Sequence, residues 1–291
     1  MTPLRRFQIH QPSSAAEASQ MLMEFGDDGS VYAGGTELLL AMRHGALRYS
    51  HLVDVKVLPG FDSIHLRGDW IEIGAGATHR AIEYSPLVRG NLKVLADLES
   101  HVANIRVRAS GTIGGNLCFA EPHSDPATLL LALDGFATAT GATGSREMPV
   151  SELISGAYAN SLAPGELLTT VRVPRLLAGQ RAAYVKYQVH ERPTLGLAIV
   201  MDTAEEGTVI SRSRVSIGCL CPFPRRSAAA EELLTGTRED VEAAIDSAAA
   251  VLADDAELID DHDGGADYKR HLLGVFLRRA MHAALAPAAQ S

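Results

Sequence analysis

Two short stretches carry residue types whose spacing suits chemistry on an anion. Ala33-Gly34-Gly35-Thr36-Glu37 lies between an apolar run that reads as a strand and a leucine-rich run that reads as a helix. Thr112-Ile113-Gly114-Gly115-Asn116 forms a second glycine-rich stretch. Glycine lets the backbone come close to an anion and lets successive N–H groups point the same way. At the first stretch, the positive end of the following helix adds to this. Neither string is G-x-G-x-x-G or a Walker loop. A dinucleotide pyrophosphate would suit two such turns facing each other. For either turn taken alone, ordinary turn use is the competing reading.

Other chemistries find less support. Cys118, Cys219 and Cys221 give no disulfide framework. The C-x-C at 219–221 lacks a second Cys/His pair at ligand spacing, so these read as small apolar residues in or beside a strand. His10, His44, His51, His65 and His101 are scattered, with no i,i+4 metal pair, and no G-x-S-x-G occurs. The formal net charge of −9 argues against a nucleic-acid reader. Arg106, Arg108 and the Arg225–Arg226 pair read as solvated charges or partner contacts. No apolar run follows Arg5 and Arg6, and the longest one, Ala248–Ala253, is far short of a membrane span. The expectation is a cytoplasmic chain without membrane insertion.

The elements around the glycine turns follow from periodicity. Ser14 and Glu17 form a capping-box pattern ahead of Ala18, Met21, Leu22 and Phe25, and Gly26 ends that helix. Val31–Ala33 and Leu52–Val55 read as strands, with a helix from about Thr36 to Met42 between them. Ile64–Leu66 and Trp70–Ile73 form a hairpin through Gly68–Asp69. Helical segments fall near Thr78–Tyr84 and Leu92–His101, and Ser110–Asn116 reads as a loop. Asp125 before Pro126 reads as the N-cap of a helix through Leu133. Strands follow, ending with Leu167–Val173. The last third places strands at Ala183–Val189, Gly196–Asp202 and Arg214–Leu220. Helices come next at Ser227–Leu234, Val241–Leu252 and Tyr268–Leu285, with the acidic stretch Asp254–Asp263 as a loop. The class is α+β.

Tyr32-Ala-Gly-Gly-Thr-Glu-Leu-Leu-Leu-Ala-Met42 resembles the first FAD motif of the medium subunits of the molybdenum hydroxylase and xanthine dehydrogenase family, carbon monoxide dehydrogenase medium subunits among them. Ser110–Leu117, reading SGTIGGNL, resembles the second motif. Ile73–Thr78, Pro164–Leu168 leading to Val173-Pro174, and Pro222–Gly236 resemble further family segments, so the likeness runs end to end. It implies the FAD-binding fold of the vanillyl-alcohol oxidase type, two α/β subdomains enclosing FAD, plus a C-terminal α+β domain. The corresponding division is 1–57, 58–177 and 178–291.

Carried over residue by residue, the resemblance implies a cofactor site. Backbone N–H groups of Ala33, Gly34, Gly35, Thr36 and Glu37, with Leu38 next to them, would hold the pyrophosphate. Ala77 and Thr78 would lie near the flavin. Thr112 would add a hydroxyl donor beside Ile113, Gly114 and Gly115 would allow close approach, and Asn116 would bond within the same cradle. Asp125 would accept from a cofactor hydroxyl, Leu168 would pack near the isoalloxazine, and Lys186 would approach the ring. Each role has a structural rival: Asp125 or Thr36 as a helix cap, Thr112 as a turn residue, Lys186 as a surface lysine. Where relatives often carry aromatic or acidic residues, this chain has His190-Glu191-Arg192-Pro193-Thr194. It also has Glu121-Pro122-His123-Ser124-Asp125 in place of smaller residues, which puts His123 in question as a residue near the cofactor.

The implied function is electron transfer. A large partner would hold the molybdenum–pterin cofactor and a small one two 2Fe–2S clusters, most simply as a dimer of heterotrimers. This chain would pass electrons through FAD to an external acceptor, with no catalytic residue or metal of its own. Two other readings stand beside it: a stand-alone FAD-dependent oxidoreductase, and a cofactor-free binding or scaffold protein.

Overall fold

The computed structural model describes residues 4–189, 192–204 and 207–286. Contacts divide the chain into two units: Met1–Ala120 with Gly135–Pro174, and Glu121–Asp134 with Arg175–Ser291.

The first unit contains two sheets. A three-stranded parallel sheet orders Gln8–His10, His51–Asp54 and Gly29–Tyr32. Its helix Ala15–Phe25 starts at Ser14, whose hydroxyl accepts from Glu17 N–H at 3.2 Å. The return half of the expected box is shifted by one residue. Glu17 accepts from the Ser13 N–H and hydroxyl, and these bonds hold its carboxyl below the usual range. The strand Gly29–Tyr32 stops before Ala33 and the next helix is Leu38–His44. The interval 33–37 is therefore a longer turn than periodicity suggests. Gly35 sets this by turning the chain with φ +69°, a left-handed conformation suited to glycine.

The second sheet of this unit is antiparallel. Its order is Ile64–Arg67, Trp70–Gly74, Leu167–Pro174, Phe136–Gly141 and Gly144–Pro149. The first two strands form the expected hairpin, with Gly68 at φ +61°. Short helices follow at His79–Tyr84, Pro86–Asn91, Lys93–Ser100 and Ile105–Ser110. A buried pair, His79 Nδ1 to Glu99 Oε2 at 2.6 Å, ties the first of these to the third.

The second unit is built on an antiparallel sheet ordered Gln180–Gln188, Pro193–Ala204, Val209–Gly218 and Arg225–Arg226. Leu195, Leu197, Ile199 and Met201 alternate along the central strand. They join one core with residues of Arg238–Ala256 and Ala266–Leu285, such as Ile245, Leu252, Leu273 and Phe276. A period of two from the strand thus meets helical spacing from the helices. The helix Asp125–Ala132 covers the opposite face: all eight of its residues are buried, and its Thr128 carbonyl accepts from Ser216 Oγ at 2.5 Å. The third strand stops at Gly218, short of the expected Leu220, because Cys219 turns to φ +69°. Asp254 and Asp255, expected in a loop, extend the helix Arg238–Ala256. Among the described residues, no helix is long and apolar enough to cross a membrane.

Candidate functional site

In the first unit the two glycine stretches touch. A Cβ on Gly34 would lie 2.2 Å from the Ser110 carbonyl oxygen and 2.7 Å from Gly111 Cα, so only glycine allows this backbone-to-backbone contact. The Gly35 and Glu37 carbonyls accept from Leu39 at 3.1 Å and Ala41 at 2.8 Å. Among the described residues, the amide N–H groups of Gly34, Gly35, Thr36 and Leu38 have no in-chain acceptor. Four donors at one turn, on half-buried residues, are what an anion would satisfy. Glu37, not Thr36, is the N-cap of Leu38–His44, and its side chain makes no capping bond.

The second stretch is not a loop throughout. Thr112 caps a helix, Ile113–Phe119, whose first turn contains both glycines. Its Oγ1 accepts from Gly115 N–H at 3.0 Å, which leaves the hydroxyl proton free to donate. Ile113 and Gly114 donate to the Ala77 and Ala75 carbonyls at 3.0 and 2.9 Å. Thr112 and Thr78 form a β-bridge, and the Thr78 hydroxyl caps His79–Tyr84 by accepting from Ala81 N–H. Ala75–Thr78 therefore acts as the brace for the second turn.

The two glycines differ in what they permit. A Cβ on Gly114 would lie 2.6 Å from Ala75 Cβ and 2.7 Å from its oxygen, so this glycine serves packing. A Cβ on exposed Gly115 would meet only Thr112 Oγ1, at 2.9 Å, so this one leaves room. Asn116 is half-buried in the same turn. Leu168 is buried on the strand Leu167–Pro174, beside a bulge at which the Thr169 carbonyl accepts from Ala75 N–H at 2.9 Å. That bond ties the strand to the brace.

Asp125 and Lys186 belong to the second unit, where they meet. Lys186 Nζ donates to Asp125 Oδ2 at 3.0 Å, and Tyr184 Oη donates to Oδ1 at 2.5 Å. Asp125 is 5% exposed and is the first residue of its helix; the N-cap is Ser124, so the carboxylate does not cap. Burial, reinforced by the adjacent carboxylate, pushes the Tyr184 phenol well above its usual value and keeps it a donor. His123 is held by Glu121, Nδ1 to Oε1 at 3.0 Å, and Arg192 reaches the other carboxylate oxygen at 2.6 Å. Burial raises the Glu121 carboxyl, but these partners outweigh it and hold the group below its usual value. His190 and Glu191, in the segment that departs from the relatives, lie outside the described residues.

Tyr184 and the Glu121–Arg192 pair escaped the sequence reading. A signal for Tyr184 existed: it lies two residues before Lys186, hence on the same face of a strand. All three cysteines are free. Burial pushes the thiols of Cys118 and Cys221 up to about 12. Among the described residues, possible metal-ligand atoms converge at Asp261, His262 and Asp263, where Asp261 already binds the buried Lys269 at 2.5 Å.

Two glycine turns in backbone contact, unbonded amides at one and a capped helix at the other, define a dinucleotide-binding unit that is not of the Rossmann kind. Residues 5–176 match the family described as "FAD binding domain in molybdopterin dehydrogenase", and residues 184–284 match "CO dehydrogenase flavoprotein C-terminal domain". The chain is 32% identical to the carbon monoxide dehydrogenase medium chain of Hydrogenophaga pseudoflava, over 97% of this chain and 98% of that one. It is 30% identical to the 6-hydroxypseudooxynicotine dehydrogenase complex subunit alpha of Paenarthrobacter nicotinovorans, over 94% and 92%. A solved structure of reconstituted CO dehydrogenase from Oligotropha carboxidovorans superposes with a TM-score of 0.92 at 30% identity, covering 99% of this chain and 100% of that chain. The protein belongs to the FAD-binding medium subunits of the molybdenum hydroxylases, and its fold is the α+β FAD-binding fold with the family's C-terminal domain.

Proposed function

We propose that this chain carries FAD and serves as the electron-transfer subunit of a molybdenum hydroxylase. Its partners would be a large subunit with the molybdenum–pterin cofactor and a small one with 2Fe–2S clusters. The observation that carries the reading is the row of amides at Gly34, Gly35, Thr36 and Leu38, without acceptors among the described residues, with Gly34 pressed against Ser110–Gly111. Bound FAD would supply the conversion of one-electron delivery into two-electron release.

The chain's own residues would do the rest. The amides of Ala33–Leu38 would hold the pyrophosphate, with the Thr112 hydroxyl as a further donor and Asn116 in the same cradle. Gly115 would give the phosphates room, while Ala77, Thr78 and Ile113 brace the turn. Leu168 would offer an apolar wall, Asp125 would accept from a cofactor hydroxyl, and Lys186 would place a cation where negative charge gathers on reduction. In this proposal segments 1–57 and 58–177 hold the cofactor, and 178–291 supplies Lys186. Three unpaired cysteines fit a cytoplasmic location.

The test is a visible spectrum of the chain, co-expressed with its partner subunits, after addition of FAD and desalting. A retained flavin band, with FAD identified on release, is the expected result. A desalted complex with no flavin band overturns the proposal.

A further inference from the structure

Tyr184 belongs to no recognised motif, yet it makes the shorter of the two hydrogen bonds to Asp125. Its Oη lies 2.5 Å from Oδ1, while Lys186 Nζ takes Oδ2 at 3.0 Å. Each carboxylate oxygen has two lone pairs, so one on each remains for a ligand hydroxyl. The phenol occupies a slot made for it: a Cβ on Gly196 would lie 2.3 Å from Tyr184 Oη. Gly196 pairs with Lys186 on one neighbouring strand and with Gly218 on the other, so the slot opens in the middle of the sheet. Cys219 closes it, with Sγ 3.6 Å from the same point and its backbone at φ +69°, a conformation uncommon for any residue but glycine. Strain of this kind persists where the surroundings over-determine it.

A half-buried tyrosine and lysine around a buried aspartate are a costly way to attach a helix to a sheet. Desolvation offsets the gain, and an apolar trio of similar volume would serve adhesion as well. The group makes sense if the carboxylate must be held in one orientation. We propose that Tyr184 is a positioning residue that locks the Asp125 carboxylate for a hydroxyl of the bound dinucleotide; this rests on the reading of the chain as an FAD subunit with Asp125 at the cofactor.

The test is a double-mutant cycle on FAD affinity in the full chain, read by flavin fluorescence, with melting temperatures alongside. Tyr184→Phe removes only the hydroxyl and should weaken FAD about tenfold, as expected for loss of a hydrogen bond to a charged group. Asp125→Ala should weaken it at least as much. If Tyr184 acts through Asp125, Tyr184→Phe costs nothing further in the Asp125→Ala background. A merely structural tyrosine would lower the melting temperature in both backgrounds and leave the affinity losses additive. Additive losses, or unchanged affinity in Tyr184→Phe, overturn the positioning role while Asp125 keeps its place. Unchanged affinity in Asp125→Ala removes Asp125 from the cofactor and the proposal with it. A wild-type chain that binds no FAD sinks both readings.

Discussion

In the first unit the candidate residues offer backbone: Gly34 lies against Ser110–Gly111, and four amides at residues 34–38 stand without acceptors among the described residues. In the second, Tyr184 and Lys186 offer side chains already bonded to the buried Asp125 carboxylate. A backbone cradle depends on what is missing, because each glycine marks a place where a methyl group would collide or would fill space a ligand needs. A side-chain cluster depends on charges that must be compensated before any ligand arrives. Steric substitutions should therefore break the first region, and electrostatic ones should retune the second.

The largest effect expected is at the glycines that serve packing. Gly34→Ala and Gly114→Ala force a methyl group to 2.2 Å from the Ser110 oxygen and 2.6 Å from Ala75 Cβ. Each should cost about 3 kcal/mol by overpacking, a fall of roughly 5 °C in Tm for a chain of this size. A melt within a degree or two of wild type would show that the two turns can part cheaply.

Gly115→Asp sharpens the contrast within a single turn. Its new Cβ meets only Thr112 Oγ1, and an acidic residue in the first turn of Ile113–Phe119 suits the helix dipole. The fold should survive while FAD affinity falls by more than about a hundredfold, since the carboxylate would face the pyrophosphate. Stoichiometric FAD in this variant would mean that the cradle does not open at Gly115.

In the second unit, Lys186→Ala should retain FAD but lower its reduction potential by about 30 mV, equivalent to roughly 1.4 kcal/mol for two electrons. The variant removes a cation and leaves the Asp125 carboxylate with only the Tyr184 hydroxyl as its described partner. Redox titration that gives the wild-type potential would place the pair away from the ring.

A smaller effect follows from acid. The Glu121 and Asp261 carboxyls of the second unit are both held below their usual values, with burial opposing the shift in each. The bonds from His123 and Arg192 outweigh it at Glu121, and the bond from Lys269 does so at Asp261. A depressed carboxyl contributes stability above its unfolded value and loses it as the pH falls through its folded value. The contribution is thus complete at neutral pH and fades below the usual Glu value of 4.5 and Asp value of 3.8. In the first unit Glu166 is also depressed, chiefly by Arg146, but that pair is partly exposed and screened. Melting curves from pH 7 to pH 3.5 should show Glu121→Gln flattening the acid limb more than Glu166→Gln. The reverse order would put the stronger coupling in the first unit.

The smallest effect concerns the thiols. With Cys118 and Cys221 pushed up to about 12 and Cys219 well above its usual value, a disulfide reagent at pH 8 should find no reactive thiol until denaturant is added. Rapid labelling of Cys219 in the native chain would reveal an opening at its buried position beside Tyr184.

Much of this was legible in the residues. The two glycine motifs, the hairpin at Gly68–Asp69 and the alternation along Pro193–Ala204 all follow from local rules. What local rules missed were choices between valid local options. Asp-Pro is a strong capping signal, yet Asp125 is the first helical residue and does not cap, because Tyr184 and Lys186 bind its carboxylate from a strand about sixty residues away in sequence. Ser110–Asn116 read as a loop because Gly-Gly is a poor helix start, yet the Ala75 and Ala77 carbonyls fix its amides and Thr112 caps the turn.

The sequence by itself determined where glycine was needed, because a missing side chain constrains the backbone wherever the chain goes. The tertiary structure alone decided what each glycine is for. Gly34 and Gly114 admit neighbouring parts of the chain and Gly115 leaves a space, a distinction set by which atoms arrive from Ser110, Gly111 and Ala75. It decided the partners of Asp125 for the same reason: a carboxylate bonds to the donors brought within reach, and those come from a strand that only folding places beside it.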